Sequence, residues 1–436
     1  MIQTQMLKQL KQSVGLFLMF VIMCGATSVN AQSQKSGYNG SGQYYNGSTI
    51  RPLTTAVSFL QVGPDARTGG MGEVGVALPD DMNAQHWNAA KYAFSKSKLG
   101  VSATYSPWLA GLGLGLQDIY MAYLAGHMKL SSLDAISMSL TYFSLGEMDI
   151  TDYDGATIFE NVKPHEFALD AAYSRKLTDN FSMAVTGRFI YSNLTTVSNI
   201  SNNTNGLKPG LAGAADVSLF YQTELKANNL YKSLIGAGMT ISNIGNKISY
   251  SDDMEKNFLP ANFRLGVAYT MYVDKYNKLT FEVDVNKLLV PSMVSYRNDT
   301  VNGKVTKVVD QAETMITAKD PRDVSVIDAL YRSWFDAPGG IREELDEYIL
   351  NLGVEYTYND LFSVRCGYFN EAKGKGARKY FTFGAGIRYS IVNFDASYIA
   401  VLPVDGLSGT HPLKNTVRLS LSFDINAPEA KASIER

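Results

Sequence analysis

Ile136-Ser137-Met138-Ser139-Leu140-Thr141-Tyr142 alternates an apolar residue with a hydroxyl residue at every step. Successive side chains of a strand point to opposite faces, so this stretch offers one wholly apolar face and one wholly polar face. The same period recurs with Phe167, Leu169, Ala171 and Tyr173, and with Ile235, Ala237, Met239 and Ile241. It returns at Phe263, Leu265, Val267 and Tyr269, and at Leu279, Phe281, Val283 and Val285. Further copies are Leu350, Leu352, Val354 and Tyr356, then Phe381, Phe383, Ala385, Ile387 and Tyr389. Val392, Phe394, Ala396 and Tyr398, followed by Val417, Leu419, Leu421 and Phe423, close the series. About 14 such segments run from residue 98 to residue 424, an even number, as closed bacterial barrels have.

The connections alternate in length. Short ones at 175–180, 359–360 and 390–391 interleave with long ones at 144–164, 195–212, 243–260 and 291–347. Transmembrane barrels join their strands in this manner, with short periplasmic turns and long external loops. Mean hydropathy is -0.08, with 37 Gly and 26 Tyr. Past the leader no run approaches the roughly 18 consecutive apolar residues of a membrane helix, whereas barrel strands need an apolar residue only at alternate positions. The fold class predicted is all-β: an antiparallel transmembrane barrel with an N-terminal plug and a long extracellular loop carrying short helices. Tyr105, Trp108, Tyr142, Phe143, Tyr191, Tyr221, Tyr269, Tyr272, Tyr358, Tyr368 and Tyr398 suit the interfacial girdles of such a barrel.

Before the strands, Lys8 and Lys11 precede an apolar run and a Val29-Asn30-Ala31 site, so residues 1–31 read as a signal peptide. Its removal takes the formal charge from -2 to -4, since two lysines and no acid are lost. A mild acidic balance gives no footing for nucleic acid. One cysteine, Cys366, then remains, and an internal disulfide is excluded. Residues 32–52, rich in Gly, Ser, Asn and Tyr, read as a flexible lead placed on the periplasmic side. Residues 53–97 read as the plug, their glycines letting backbone pass close to backbone. Residues 425–436 form a tail.

The 291–347 excursion is the longest departure from the strand pattern. Ile327, Leu330, Tyr331 and Trp334 share one helical face, Ser325 is placed to cap it, and 336–340 stops it. Ile341, Leu345 and Tyr348 then mark a second short helix. A loop of this length reads as functional, with Ile327, Leu330, Tyr331, Trp334 and Phe335 as candidate partner-binding residues, or as a lid packed on its own scaffold.

With the apolar residues facing lipid, Asp170, Arg188, Asp216, Arg264, Glu282, Asp284, Glu355, Arg365, Arg388, Asp395 and Arg418 face the lumen. Buried charges persist when paired, so these residues predict an ionic network, notably Arg264 beside Glu282 and Asp284; a selective conduction path is the alternative. Gly70-Met71-Gly72-Glu73-Val74-Gly75 matches GxGxxG but has no strand before it. The histidines His86, His127, His165 and His411 lack metal-ligand spacing. His127 with Ser131 or Ser132 is the nearest approach to the Ser, His and orienting third group of a hydrolase, and these residues lie across a predicted short turn. The expectation is a non-enzymatic protein with no cofactor and no metal.

Gly63-Pro64-Asp65-Ala66-Arg67, Gly70-Met71-Gly72, Asp80-Asp81 and Trp87-Asn88-Ala89-Ala90 together resemble the N-terminus of the PorV/PorQ family of Bacteroidota outer-membrane proteins. That family looks related to FadL-type fatty acid transporters. Leu288-Leu289-Val290-Pro291, Ser333-Trp334-Phe335-Asp336-Ala337-Pro338-Gly339-Gly340 and Glu343-Glu344-Leu345 resemble the long surface loop of its PorV branch. Ala90 stands where the family commonly has Pro. The resemblance implies an outer-membrane component of the type IX secretion system. Such a component takes the C-terminal signal domain of a cargo protein at the SprA (Sov) translocon and passes it to the PorU sortase and attachment complex. A FadL-like channel for hydrophobic molecules such as long-chain fatty acids is the alternative. Outer-membrane lipid is the remaining expected contact.

Overall fold

The computed structural model describes residues 38–39, 43–44, 51–108, 117–151, 157–194, 208–226, 232–251, 256–292, 296–301, 304–309, 324–402, 413 and 416–425. The chain divides into two units, Met1–Ser48 and Thr49–Arg436. Of the first, only the pairing of Tyr38–Asn39 with Gln43–Tyr44 is described. The predicted signal peptide, most of the lead and the tail beyond Ile425 lie outside the described residues, as does His411.

The period-2 segments form fourteen strands. They are β1 (Leu99–Pro107), β2 (Gln117–Lys129), β3 (Asp134–Thr151), β4 (His165–Lys176), β5 (Phe181–Asn193), β6 (Gly210–Lys226) and β7 (Lys232–Gly245). The second half comprises β8 (Asn262–Tyr272), β9 (Asn277–Leu288), β10 (Tyr348–Tyr358), β11 (Phe362–Asn370), β12 (Lys379–Tyr389), β13 (Val392–Val401) and β14 (Val417–Ile425). All pair antiparallel with their sequence neighbours, and β14 pairs with β1, Leu419 opposite Tyr105, so the sheet closes on itself. Closure leaves no unpaired edge, the condition a sheet must meet in hydrocarbon. Outward residues are apolar and exposed, Met138 at 57%, while its neighbour Ser137 inside is 3% exposed. Among the described residues no helix is long and apolar enough to cross a membrane.

The turns at one end are tight. Asn359 and Asp360 have φ of 53° and 50°, the left-handed pair that matches a hairpin's twist. Long connections lie at the other end, which in barrels of this class is the cell surface. There Tyr105, Tyr120, Tyr142, His165 and Tyr191 make a ring-to-ring row across β1 to β5, with centroids 5.5–6.0 Å apart. Two of the aromatics predicted for a girdle face inward instead: Phe143 and Trp108 pack against each other, and Phe143 stacks on Phe59 in the lumen. Extra strands decorate the long-loop end, Thr157–Val162 on β3 and a separate hairpin of Tyr296–Val301 with Lys304–Val309.

The plug fills the lumen with irregular chain punctuated by two short helices, α1 (Ala66–Gly69) and α2 (Ala84–Trp87), and 3₁₀ turns. It runs from the long-loop end down to the start of β1. Arg51, at its upper end, donates its N–H to Gly374 O and a guanidinium N–H to Glu343, both on long connections. The lead was expected on the periplasmic side; its described end lies at the opposite side, because the plug threads the whole lumen. Gly72, in the middle of the GxGxxG match, has φ +74°, and a Cβ there would fall 2.5 Å from Leu352 O. That glycine run serves close passage of plug past wall.

Candidate functional site

Two features compete for the role of site: the lumen and the helical rim above it. In the lumen, the interior charges are shared between wall and plug. Arg188 on β5 bridges Asp170 on β4 (2.7 and 2.9 Å) and Asp216 on β6 (3.0 Å), and also meets Asn243. On the far side Arg365 binds Glu355 at 2.7 Å and Asp395 at 2.6 Å. Plug residue Arg67 adds a two-pronged contact to Glu355 at 3.0 and 3.1 Å and a bond to Asp81 at 2.8 Å. Arg418 on β14 pairs with plug residue Glu73 at 2.6 Å.

Glu282 and Asp284, neighbours on one face of β9, meet backbone rather than arginine. Asp284 accepts the N–H groups of Gly75 and Val76 at 2.8 and 3.2 Å. Glu282 accepts those of Ala77 and Leu78 at 2.6 and 3.1 Å. Four consecutive donors of an irregular segment are thereby satisfied inside the barrel, where each would otherwise carry a desolvation penalty. Arg264, predicted beside these acids, makes no ion pair with them. Its guanidinium lies 4.8 Å over the Trp87 ring instead, while Glu282 Oε2 and Asp284 Oδ1 have no hydrogen-bond partner among the described residues. Arg388 lies apart, at the short-turn end, paired with Asp424 at 2.6 Å.

The plug has its own keystone. Asp65 caps α1 through the N–H of Thr68 (2.9 Å), takes the Thr68 hydroxyl (2.6 Å), and accepts the Trp87 indole N–H at 2.7 Å. Asn88 donates to Val76 O and Leu219 O, and buried Lys91 donates to Gly75 O. Thus the GPDAR and WNAA motifs are one folding unit.

Below the plug, a charge-lined cavity of about 360 Å³ faces the short turns, with Arg67, Asp81 and Glu355 in its wall. Above it, the spaces are about 30 and 10 Å³. On that side Val57, Phe59 and Leu60 are packed into Met121, Ile190 and Leu259.

His127 faces inward. Its Nε2 is 3.4 Å from Ser97 Oγ and its ring stacks on Tyr92 at 4.6 Å. Ser131 instead binds Asp134 in a turn, so the nearest hydrolytic pair in sequence is separated by the orientation of β2.

At the rim, Ser325 caps α3 (Val326–Arg332) by accepting the Asp328 N–H at 3.1 Å, and α4 (Ile341–Asp346) follows a turn in which Gly340 has φ +72°. α3 buries Ala329 and Ser333 with Val326 half-buried, against Leu53, Phe258 and Leu288. That buried stripe leaves Ile327 (78%), Tyr331 (74%) and Phe335 (79%) exposed, and Ile341 (82%) and Leu345 lie exposed on α4. Leu330 is half-buried. Trp334 folds back on Phe263 and Tyr348, at 5.3 and 6.5 Å between centroids, and is scaffold. The five candidate partner-binding residues, four of them predicted on one helical face, are thus divided between an exposed and a packed side, and Ile341 and Leu345 complete the exposed one.

α4 and the residue that ends it are clasped by ions. Lys287 binds Glu344 (2.7 Å) and Glu347 (2.6 Å); Lys375 binds Glu343 (2.7 Å) and Glu347 (2.9 Å). Asp336 accepts the Ser292 N–H at 3.1 Å. Asp336, Glu344 and Glu347 come close enough to share a cation, but Lys287 and Lys375 already neutralise the two glutamates. Burial pushes the Asp336 carboxyl up to about 6, opposed by the Ser292 N–H and reinforced by Glu347 and Glu344.

A family model described as type IX secretion system protein PorV matches residues 46–295. No curated protein matches the chain. Among solved structures, a TodX monoaromatic hydrocarbon channel lacking S2 and S3 is 13% identical, with 83% of this chain and 99% of that one covered and a TM-score of 0.48. The toluene transporter TbuX of Ralstonia pickettii is 11% identical over 83% and 97%, TM-score 0.43. A FadL homologue of Pseudomonas aeruginosa is 12% identical over 86% and 100%, TM-score 0.36.

Proposed function

Because the chain belongs to the PorV family and is an outer-membrane barrel of the type IX secretion system, we propose that it is a non-enzymatic adaptor. It binds the C-terminal signal domain of cargo at the SprA (Sov) translocon and passes it to the PorU attachment complex. The observation that carries this reading is the exposed apolar surface of α3 and α4. Ile327, Tyr331, Phe335, Ile341 and Leu345 stand in solvent-accessible positions on a unit fastened to the barrel by buried ions. Apolar and aromatic groups held on a rigid support are the anchors of protein interfaces. The lumen beneath is packed by plug and ion pairs, which suits a surface role better than passage through the barrel.

Removal of residues 324–347 tests it. The variant is expected to reach the outer membrane, to lose its large-barrel and sortase partners on affinity purification in mild detergent, and to leave cargo unreleased. Normal cargo release by that variant would defeat the proposal.

The alternative is a channel for hydrophobic small molecules such as long-chain fatty acids, favoured by the apolar cluster around Phe59 and Leu60. The adjoining space is about 10 Å³ and is lined mostly by polar side chains, His86, Asp170 and Arg188 among them, so a chain would enter only after plug movement. Uptake of a labelled fatty acid that vanishes with the gene would support this alternative.

A further inference from the structure

Residues 51–61 connect the rim helices to the plug at every step. Arg51 holds Glu343 of α4 at 2.8 Å, and its backbone N–H holds Gly374 O at 2.9 Å. Leu53 enters the cluster of Phe258, Leu288, Val324 and Ala329 beneath α3. Ala56 donates to Phe258 O at 3.0 Å, and Phe59 and Leu60 are buried among Met121, Ile190 and Leu259. Four residues beyond Gln61 the chain reaches Asp65, the keystone of the plug. Pro52 near its start and Pro64 three residues past its end have fixed φ, which removes slack.

We infer that residues 51–61 are a strap that couples the seating of α3 and α4 to the seating of the plug, from the cell-surface end of the barrel. A pull on α4 loads Arg51 through Glu343, and the next buried anchors along the chain are Leu53, Phe59 and Leu60. Conversely, a plug that slides toward the short turns draws Arg51 out of the ionic clasp shared by Glu343, Lys375, Glu347 and Lys287. This inference rests on the adaptor reading for its use in the cell, but the coupling belongs to the protein alone.

Hydrogen exchange on the purified full-length protein in lipid nanodiscs tests the coupling with no partner present. Arg51→Ala removes a charge-assisted contact, so exchange is expected to quicken about tenfold in 341–346 and in 53–61, with a smaller rise in 63–78 and none in the strands. Arg51→Lys, which keeps the positive charge beside Glu343 and leaves the Lys375 pair in place, should restore slow exchange in all three segments, which a merely misfolded chain would not do. Faster exchange in 341–346 with 53–78 unchanged would overturn the coupling. Position is tested separately in a Cys366→Ser background. Exposed Thr54→Cys should react with a membrane-impermeant maleimide on intact cells, whereas Leu133→Cys, in a short turn, should not. Labelling of Thr54→Cys only after the outer membrane is opened would overturn the placement. Failure of the unaltered protein to bind any partner, with the coupling intact, would count against the adaptor reading alone.

Discussion

The Trp87 indole N–H reaches Asp65 Oδ1 at 2.7 Å and joins two plug segments that are 22 residues apart in the chain. Both residues are essentially inaccessible. Around this bond the plug packs on itself: a Cβ on Gly63 would meet the Trp87 ring at 2.9 Å.

Trp87→Phe keeps the ring and deletes the donor. A hydrogen bond to a charged group contributes about 1.5–3 kcal/mol, and the loss should appear as faster proteolysis within 63–91. The barrel itself, followed by heat-modifiable migration, should be unaffected. Protease resistance equal to that of the parent would mean that the bond does not hold the plug.

Replacing Glu282 by Gln and Asp284 by Asn together weakens four backbone contacts to the plug while retaining shape. Each carboxyl group becomes an amide, in which NH2 donors replace one accepting oxygen and weaken the hold on the backbone N–H groups. Cells carrying the pair should admit large hydrophilic antibiotics more readily, whereas Arg388→Gln, outside the plug contacts, should not change sensitivity. Equal sensitivity in all three strains would sink the latch.

Phe335→Glu and Ile341→Asp place charge on the exposed face of the rim helices without touching their buried side. Co-purification of a large partner barrel should fall about tenfold or more, the loss of a typical interface anchor, at unchanged protein level. Trp334→Ala should act differently, loosening the 325–347 segment itself because that ring is packed on Phe263 and Tyr348. If Phe335 and Ile341 tolerate charge and Trp334 alone matters, the partner surface lies elsewhere.

Asp336, raised to about 6 mainly by burial, keeps its proton in the folded protein at pH values where an unfolded chain has lost it. The rim unit therefore loses stability as pH rises from the ordinary carboxyl range through about 6. Glu343 acts in the opposite sense. Burial opposes its ionisation, but Lys375 outweighs that and holds it below its usual range, so its contribution fades only as pH falls through that depressed value. Asp336→Asn should slow exchange in 325–347 at neutral pH by roughly 1–2 kcal/mol and flatten the profile between about pH 5 and 7. An unchanged profile would assign the pH response to another group.

Strand count, closure and the long-loop end were legible because lipid enforces a period of two on every wall strand, as at Ile136 to Tyr142. The lumen charges were legible as a set but not as pairs. Nothing in the chain near Glu282 announces that Ala77, 205 residues earlier, will offer it a backbone N–H, nor does anything near Arg264 announce the Trp87 indole it lies over. Plug residues Arg67 and Glu73 were missed as partners; their positions among the GPDAR and GxGxxG residues were the available signal. The helices were visible from their spacing, but their buried side is chosen by Leu53, Phe258 and Leu288, from three separate parts of the chain.

Ser420 carries a consequence for how the molecule is made. Its hydroxyl on β14 meets Thr104 Oγ1 on β1 at 2.7 Å and accepts the N–H of plug residue Ala66 at 2.9 Å. Two positions away on the same strand, Arg418 relies on plug residue Glu73. First and last strands thus meet at a seam that is complete only with the plug inside. A seam zipped around an empty lumen would leave Arg418 and Ser420 to lumen water, without the contacts that Glu73 and Ala66 supply. Biogenesis is thereby biased toward one order of events, in which the amino-terminal segment occupies the nascent cylinder before the final pair of strands joins.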